Sequence, residues 1–237
     1  MSDSIRRAPI GLSTEALCEA WARQENALSG SIQILDREIA GRVRGGQAWT
    51  VFPAFAASII VRPKIDISQA EMGWMSASLA AVEALENIGL SAATCLWPDV
   101  VIGVGSKDGV LARVTARSHL GPGVITFCVL TARFDLSHIA HHFGQDVSMK
   151  KLEEAVIVSL RQQATLLEDP RRVGESYSKR CGSLGRTWQV NMLPKGYARG
   201  VASTIDNCGS LVIESGTGMR EVINVDALKD IVLAGPL

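Results

Sequence analysis

The chain has no surplus of charge of either sign. Its 24 Lys and Arg balance 24 Asp and Glu, so no global positive field gathers phosphate, and a general nucleic-acid binder is excluded. Aromatic residues are few, 5% of 237. No apolar run approaches the roughly 20 residues of a membrane span; the longest, Ala54 to Val61, is broken by Ser58. The first residues carry Arg6 and Arg7 but no apolar h-region and no small-residue cleavage site, so no signal peptide is read. The cysteines, Cys18, Cys95, Cys128, Cys181 and Cys208, are scattered without CxxC pairing. That argues against a disulfide framework and structural zinc and for a cytoplasmic protein with free thiols. Neither GxxxxGK(S/T) nor GxSxG occurs. What is present is 47% apolar residues, enough for one large domain or one domain with a small appendage.

The apolar spacing then sets out the elements. Ser13 and Thr14 can cap a helix to about Leu28, with Leu17, Ala20, Trp21 and Leu28 on one face. Ser31 to Leu35 reads as a strand, and Thr50 to Arg62 as one or two strands punctuated by Pro53. A second helix, near Gln69 to Ile88, carries Met72, Met75, Leu79, Val82 and Leu85 as a core stripe and stops at Gly89. Val100 to Arg117 reads as a hairpin turning at Gly105 to Gly109, followed by a strand from Val124 to Leu130. A third helix spans Lys150 to Leu167 and ends at Asp169-Pro170. Helices and strands do not alternate as βαβ units, so the class is α+β, with a mixed or antiparallel sheet and flanking helices. Beyond about residue 180 short strands follow closely: Thr187 to Leu193, Tyr197 to Ile205, Ser210 to Glu214 and Met219 to Ile223. They predict a small β-barrel, because closure removes exposed edges. The expected division is 1–180 and 181–237.

Few residues stand out chemically. Gly103-Val104-Gly105 is not a dinucleotide fingerprint, because a strand and not a helix follows it. His138, His141 and His142 fall at i, i+3, i+4, but no carboxylate or cysteine is paired with them, and a polar helix end is the plainer reading. His119 reads as a turn residue. Cys128 sits in an apolar run and reads as a small buried hydrophobe. More informative is Ala40-Gly41-Arg42-Val43-Arg44-Gly45-Gly46-Gln47. From Ile39 to Ile65 there is no Asp or Glu, while Arg42, Arg44, Arg62 and Lys64 are present. Glycines let backbone approach a ligand, and arginine forks bind phosphate or carboxylate. A solvated basic turn has the same texture, so both readings stand. Asp99 before a strand is a turn residue or a magnesium contact.

Taken in order, these segments resemble the biotin protein ligases of the biotin/lipoate ligase family. Ser13-Thr14-Glu15-Ala16 sits where the family has a Ser-Thr-Asn helix start. Ala40 to Trp49 is similar to its AGRGRxGRxW loop, and Ser58-Ile59-Ile60-Val61-Arg62-Pro63 to the strand that follows. Leu96-Trp97-Pro98-Asp99-Val100 resembles KWPND, and Lys107-Asp108-Gly109-Val110-Leu111 lies where KxxGIL occurs. Leu184-Gly185-Arg186 and Gly200 to Leu211 resemble the C-terminal module. The resemblance covers about residues 12 to 225. It implies a synthetase-like α+β domain with an SH3-like barrel, without an N-terminal helix-turn-helix. The activity it implies is the joining of biotin or lipoate to ATP as an acyl-adenylate, with magnesium, and transfer to a lysine of an acyl-carrier domain. Homodimers are common in the family.

On this resemblance Arg44 and Lys107 are the expected catalytic residues. Gly41, Arg42, Arg44, Gly45, Gly46, Gln47, Trp49, Trp97, Asp99 and Gly109 are expected to bind ligand, and Asp99 magnesium. The departures fall on the same positions. Val43 replaces a glycine, and Gln47 replaces an arginine. Leu96 replaces a lysine, Asp99 and Val100 an Asn-Asp pair, and Ser106 the KxxG lysine, with Lys107 one place out of register. The asparagine of the family's GxGxN strand has no counterpart near Cys128 to Ala132. Loss of one transition-state charge partner typically costs on the order of a hundredfold to a thousandfold. An acid-binding or carrier-binding relative without activity is therefore the alternative. A further alternative is an acyltransferase using a preactivated donor, although no nucleophile for it is evident.

Overall fold

The computed structural model describes residues 4–105 and 109–234. Two sheets carry the fold. The larger has seven strands: β1 (Ile5–Gly11), β2 (Ile32–Glu38), β3 (Ala54–Val61), β4 (Ala93–Leu96), β5 (Val100–Gly103), β6 (Val110–Gly121) and β7 (Val124–Asp135). Their order is β1-β2-β3-β7-β6-β5-β4. Only β1 and β2 pair in parallel; the other neighbours are antiparallel. The helices are α1 (Thr14–Gln24), α2 (Met72–Asn87), α3 (Leu136–Phe143), α4 (Met149–Leu166) and α5 (Pro170–Arg180). The smaller sheet holds β8 (Thr187–Met192), β9 (Tyr197–Ile205), β10 (Leu211–Glu214), β11 (Arg220–Ile223) and β12 (Leu228–Leu233), in the order β11-β10-β9-β8-β12.

Strand alternation divides the large sheet's side chains between its faces. Ile60, Phe127 and Val129 turn to α1 and pack with Cys18, Trp21 and Ala22. Ile59, Val61, Cys128 and Leu130 turn the other way, to Met72, Met75 and Leu79 of α2 and to Leu160 of α4. Burial pushes the Cys18 and Cys128 thiols up to about 12, which makes both inert packing residues.

Several expectations change. The α1 helix stops at Gln24 rather than Leu28, because Asn26 takes φ of +50°. Asp169-Pro170 does not simply end a helix; it begins α5. The Asp169 carboxylate caps Arg172 N–H, and Pro170 stands in the first turn, where its missing N–H is harmless. His119 lies on β6, not in a turn. Strands β1, β4 and β12 are additional, two of them as edges of the large sheet and one as an edge of the small. The small sheet is open among the described residues, since β11 and β12 are its edges and do not pair.

The two sheets share one apolar core, to which Trp188, Val190 and Leu211 contribute alongside Trp97. Trp97 is the joint. Its backbone N–H donates to Ser183 Oγ at 3.0 Å, and its indole N–H to the Gly209 carbonyl at 2.9 Å.

Arg62 leaves the expected basic cluster. Its guanidinium lies against the end of α1, donating to the carbonyls of Ala22, Ala27 and Thr126 and to Asn26 Oδ1. It satisfies carbonyls that the helix end leaves open. Lys64 is exposed, and its backbone N–H donates to Glu168. Of the four cations in the carboxylate-free stretch, two are therefore structural or peripheral. Charged hydrogen bonds contribute about 1.5–3 kcal/mol each, and about 2 kcal/mol moves the midpoint of a chain this size by about 4–8 °C. Arg62→Met is expected to lower the Tm by that amount, measured by circular dichroism.

Candidate functional site

Gly41 to Trp49 forms a short hairpin at the end of β2. Trp49 N–H donates to the Gly41 carbonyl, and Val43 N–H to that of Gln47. Gly45 and Gly46 turn it, with φ of +70° and +74°, a conformation that favours glycine. Arg42 folds back onto the Gly46 carbonyl at 2.7 Å. Arg44 points across the molecule. Its Nη1 donates to the Leu228 carbonyl of β12 at 2.6 Å, and its Nε pairs with Asp99 Oδ1 at 3.3 Å. The hairpin thus spans from one sheet to the other.

Beneath it lies a cleft of about 510 Å³. The hairpin, β6, the start of α2 and the β11–β12 connection form its walls, bringing in Arg42, Arg44, Arg117, His119, Glu15 and Glu71. Trp74 adds an aromatic face. A smaller cleft of about 230 Å³ lies beside β2, between Glu38, Trp49 and Phe52.

A buried polar chain runs under both clefts. Arg133 of β7 is 0% exposed. It donates to Glu38 at 2.6 Å and to Thr115 Oγ1 at 3.2 Å. Glu38 accepts from both the N–H and the hydroxyl of Thr14, at 2.6 and 2.7 Å. Thr115 donates to Glu15, and Glu15 pairs with Arg117 at 2.8 Å. His119 continues the line between Glu19 and Arg23, stacked on Phe127 with centroids 4.3 Å apart. The charges Glu15, Glu38, Arg117 and Arg133 are thus paired within the protein.

The expected site residues separate into groups. Gly41, Arg42, Arg44, Gly45, Gly46, Gln47 and Trp49 share the hairpin. Gly41 is needed there, because a Cβ would run into the Glu38 carboxylate. Trp97, 1% exposed, joins the sheets and lines neither cleft. Gly109 closes the β5–β6 turn, its carbonyl accepting from Gly103 N–H. Lys107 lies outside the described residues. Asp99, read as a magnesium contact, is 2% exposed, with Arg44 on one oxygen and Arg113 on the other at 3.0 Å. A cation there would have to displace two guanidinium groups, so these residues do not fit a magnesium ion. Among the described residues no group of three His, Cys, Asp or Glu is placed to hold a metal. The histidines of α3 do not converge: His138 faces Asp135, and the ring of His142 lies against Gly103.

Sequence reasoning missed Glu38, Arg133, Arg113, Thr115, Arg117 and Glu71. Two signals were there. Arg133 interrupts an apolar strand, and a charge in a buried strand calls for a buried partner. Arg113, Thr115 and Arg117 recur at every second residue and so share one face of β6. Glu71 carried no signal, because the β11–β12 connection that covers it is remote in sequence. Burial raises its carboxyl above the usual range, against the pull of the Val225 and Asp226 N–H groups.

Breaking a buried pair typically costs about 3–5 kcal/mol, because it strands the remaining charge. Glu38→Met is expected to lower the urea-unfolding free energy by about that much, and adding Arg133→Leu to recover most of it. For Glu71 the raised value means that its favourable contribution holds at low pH and is lost as pH rises through that value. Glu71→Gln should therefore raise the Tm at pH 8, with the gain vanishing below pH of about 4, read by melting across that range.

No family model matches this sequence, and no curated protein matches it. Solved structures do. The biotin protein ligase of Aquifex aeolicus, in complex with biotin and ATP, is similar at TM-score 0.77 and 16% identity, over 98% of this chain and 100% of that one. A biotin protein ligase-like protein of unknown function from Silicibacter sp. is similar at TM-score 0.71 and 11% identity, over 94% and 95%. The biotin acetyl coenzyme A carboxylase synthetase of Helicobacter pylori, with bound biotinylated ATP, is similar at TM-score 0.60 and 13% identity, over 93% and 100%. The chain has the fold of the biotin protein ligases over nearly its whole length.

Proposed function

We propose that this chain is a biotin/lipoate ligase-like protein that takes a small carboxylic acid and ATP in the 510 Å³ cleft. It joins them as an acyl-adenylate and passes the acyl group to a carrier lysine. The observation that carries this reading is the convergence of Arg42 and Arg44 from the hairpin and Arg117 from β6 on one cleft. A carboxylate must approach a polyanion, and guanidinium groups lower that repulsion and stabilise the charge that develops. In the first step a carboxylate oxygen bonds to the α-phosphorus and pyrophosphate leaves. In the second the lysine amine bonds to the acyl carbon and AMP leaves. That similar folds have been solved with biotin and ATP, or with biotinyl-5-AMP, supports the choice of ligands. We read the seven-stranded sheet and its helices as the catalytic-type unit. The small sheet, a meander whose last strand returns beside its first, we read as the SH3-like module.

One observation favours a second reading, a relative that binds an acyl ligand or carrier without catalysing. Arg44 is held by Asp99 and by the Leu228 carbonyl, and no magnesium site forms at Asp99. ATP–pyrophosphate exchange with biotin, lipoate and octanoate separates the two. The ligase reading expects exchange with one of these acids, reduced at least a hundredfold by Arg44→Ala and by Lys107→Ala. Acid binding by calorimetry with no exchange above an enzyme-free control would establish the second.

A further inference from the structure

We infer that Asp99 is a resident anion that holds Arg44 in place of the ligand's phosphate, and that a phosphate entering the cleft takes Arg44 from it. The inference rests on the reading that Arg44 binds a ligand anion. Asp99 follows Trp97-Pro98 at the start of β5, and its carboxylate is 2% exposed. It does not line the cleft; it stands behind the wall that Arg44 forms. Its two oxygens serve different arginines, Oδ1 accepting from Arg44 Nε at 3.3 Å and Oδ2 from Arg113 Nη1 at 3.0 Å. The Arg44 contact is the longer. Arg44 also has Nη1 engaged by the Leu228 carbonyl at 2.6 Å, so the hairpin is tied across the cleft to the small sheet.

The charges explain how this tie is balanced. Two guanidiniums share one carboxylate, so Asp99 neutralises Arg44 only in part, in a cleft whose walls carry Arg42, Arg44 and Arg117 beside Glu15, Glu71 and Asp226. Arg113 competes with Arg44 for Asp99 and weakens the hold on Arg44. Gly45 and Gly46, which turn the hairpin immediately after Arg44, give the chain the freedom to release it. An internal contact of this kind lowers apparent ligand affinity by the fraction of molecules in which Arg44 is free.

Asp99 and Arg113 are thus positioning residues with opposite effects, and this gives the test. Inorganic pyrophosphate and AMP are titrated by calorimetry into the full chain and into Asp99→Asn, Arg113→Met, Asp99→Glu and Arg44→Ala, each first checked for folding by circular dichroism. Asp99→Asn is expected to tighten pyrophosphate binding by on the order of tenfold, Arg113→Met to weaken it, and Asp99→Glu to return it towards the parent value. General damage to the fold would weaken binding in every variant, so the gain in Asp99→Asn is the diagnostic result. If the parent binds pyrophosphate through Arg44 and Asp99→Asn leaves affinity unchanged or lower, the inference fails while the reading of the cleft stands. If the parent binds neither probe, or Arg44→Ala binds them equally well, both fail.

Discussion

The buried ion pair between Arg133 and Glu38 is the contact on which the site's geometry depends. Arg133 comes from the middle of the large sheet, Glu38 from the strand that leads into the hairpin, and Thr14 from the first turn of α1. Three separate elements are fixed to one another, because a carboxylate carried by one of them accepts from the other two. A buried charge without such partners would be several kcal/mol unfavourable. The sequence therefore cannot move β2 against β7 without exposing or stranding a charge. The hairpin inherits that precision, because Gly41 lies directly against the pair. A Cβ there would run into the Glu38 carboxylate and so disturb the pair itself.

A second constraint acts at the other end of the cleft. The small sheet is held by Trp97, whose backbone N–H and indole N–H donate to Ser183 and Gly209. Arg44 and Glu71 reach the same sheet from the large one, at the Leu228 carbonyl and the Asp226 N–H. The cleft's far wall is thus a separate sheet tied to the first by a few polar contacts over a shared apolar core. Such a wall can keep its stability in the core while exchanging polar partners at the cleft.

What could be read from the sequence follows from range. Helices α2 and α4 repeat their apolar residues at three and four, and the sheet strands around Ile59 and Val129 are dense in β-branched residues. These are local signals, and the structure agrees with them. The hairpin, too, was legible, because Gly45 and Gly46 declare a turn wherever they stand. Arg62 was misread for the same reason: charge composition over a stretch says nothing about direction, and this side chain turns to the open carbonyls of α1. Asp99 stands in the turn before β5, as one of its two readings had it, but its arginine partners went unread because they lie 55 positions before it and 14 after it, and no local pattern records them. Strand β1 was missed because it is an edge with both faces largely exposed, so it lacks the alternation that marks a half-buried strand.

The same distinction separates what is retained in this fold from what is altered. Residues that hold the architecture, such as Trp97 and Gly41, have partners inside the protein and would be costly to change. Among the described residues, positions that depart from the ligase-like pattern include Asp99 and the hairpin residues Val43 and Gln47, close to the cleft in which we propose that a ligand binds. Departures confined to surface loops would be neutral, and departures spread through the core would unfold the chain. Here a carboxylate has been placed behind an arginine of the cleft, and a second arginine, Arg113, has been placed beside that carboxylate. One charge alone would leave either a stranded anion or a fully neutralised Arg44. Together they leave Arg44 only partly held by the protein's own carboxylate, which suits the exchange of one anion for another that we propose.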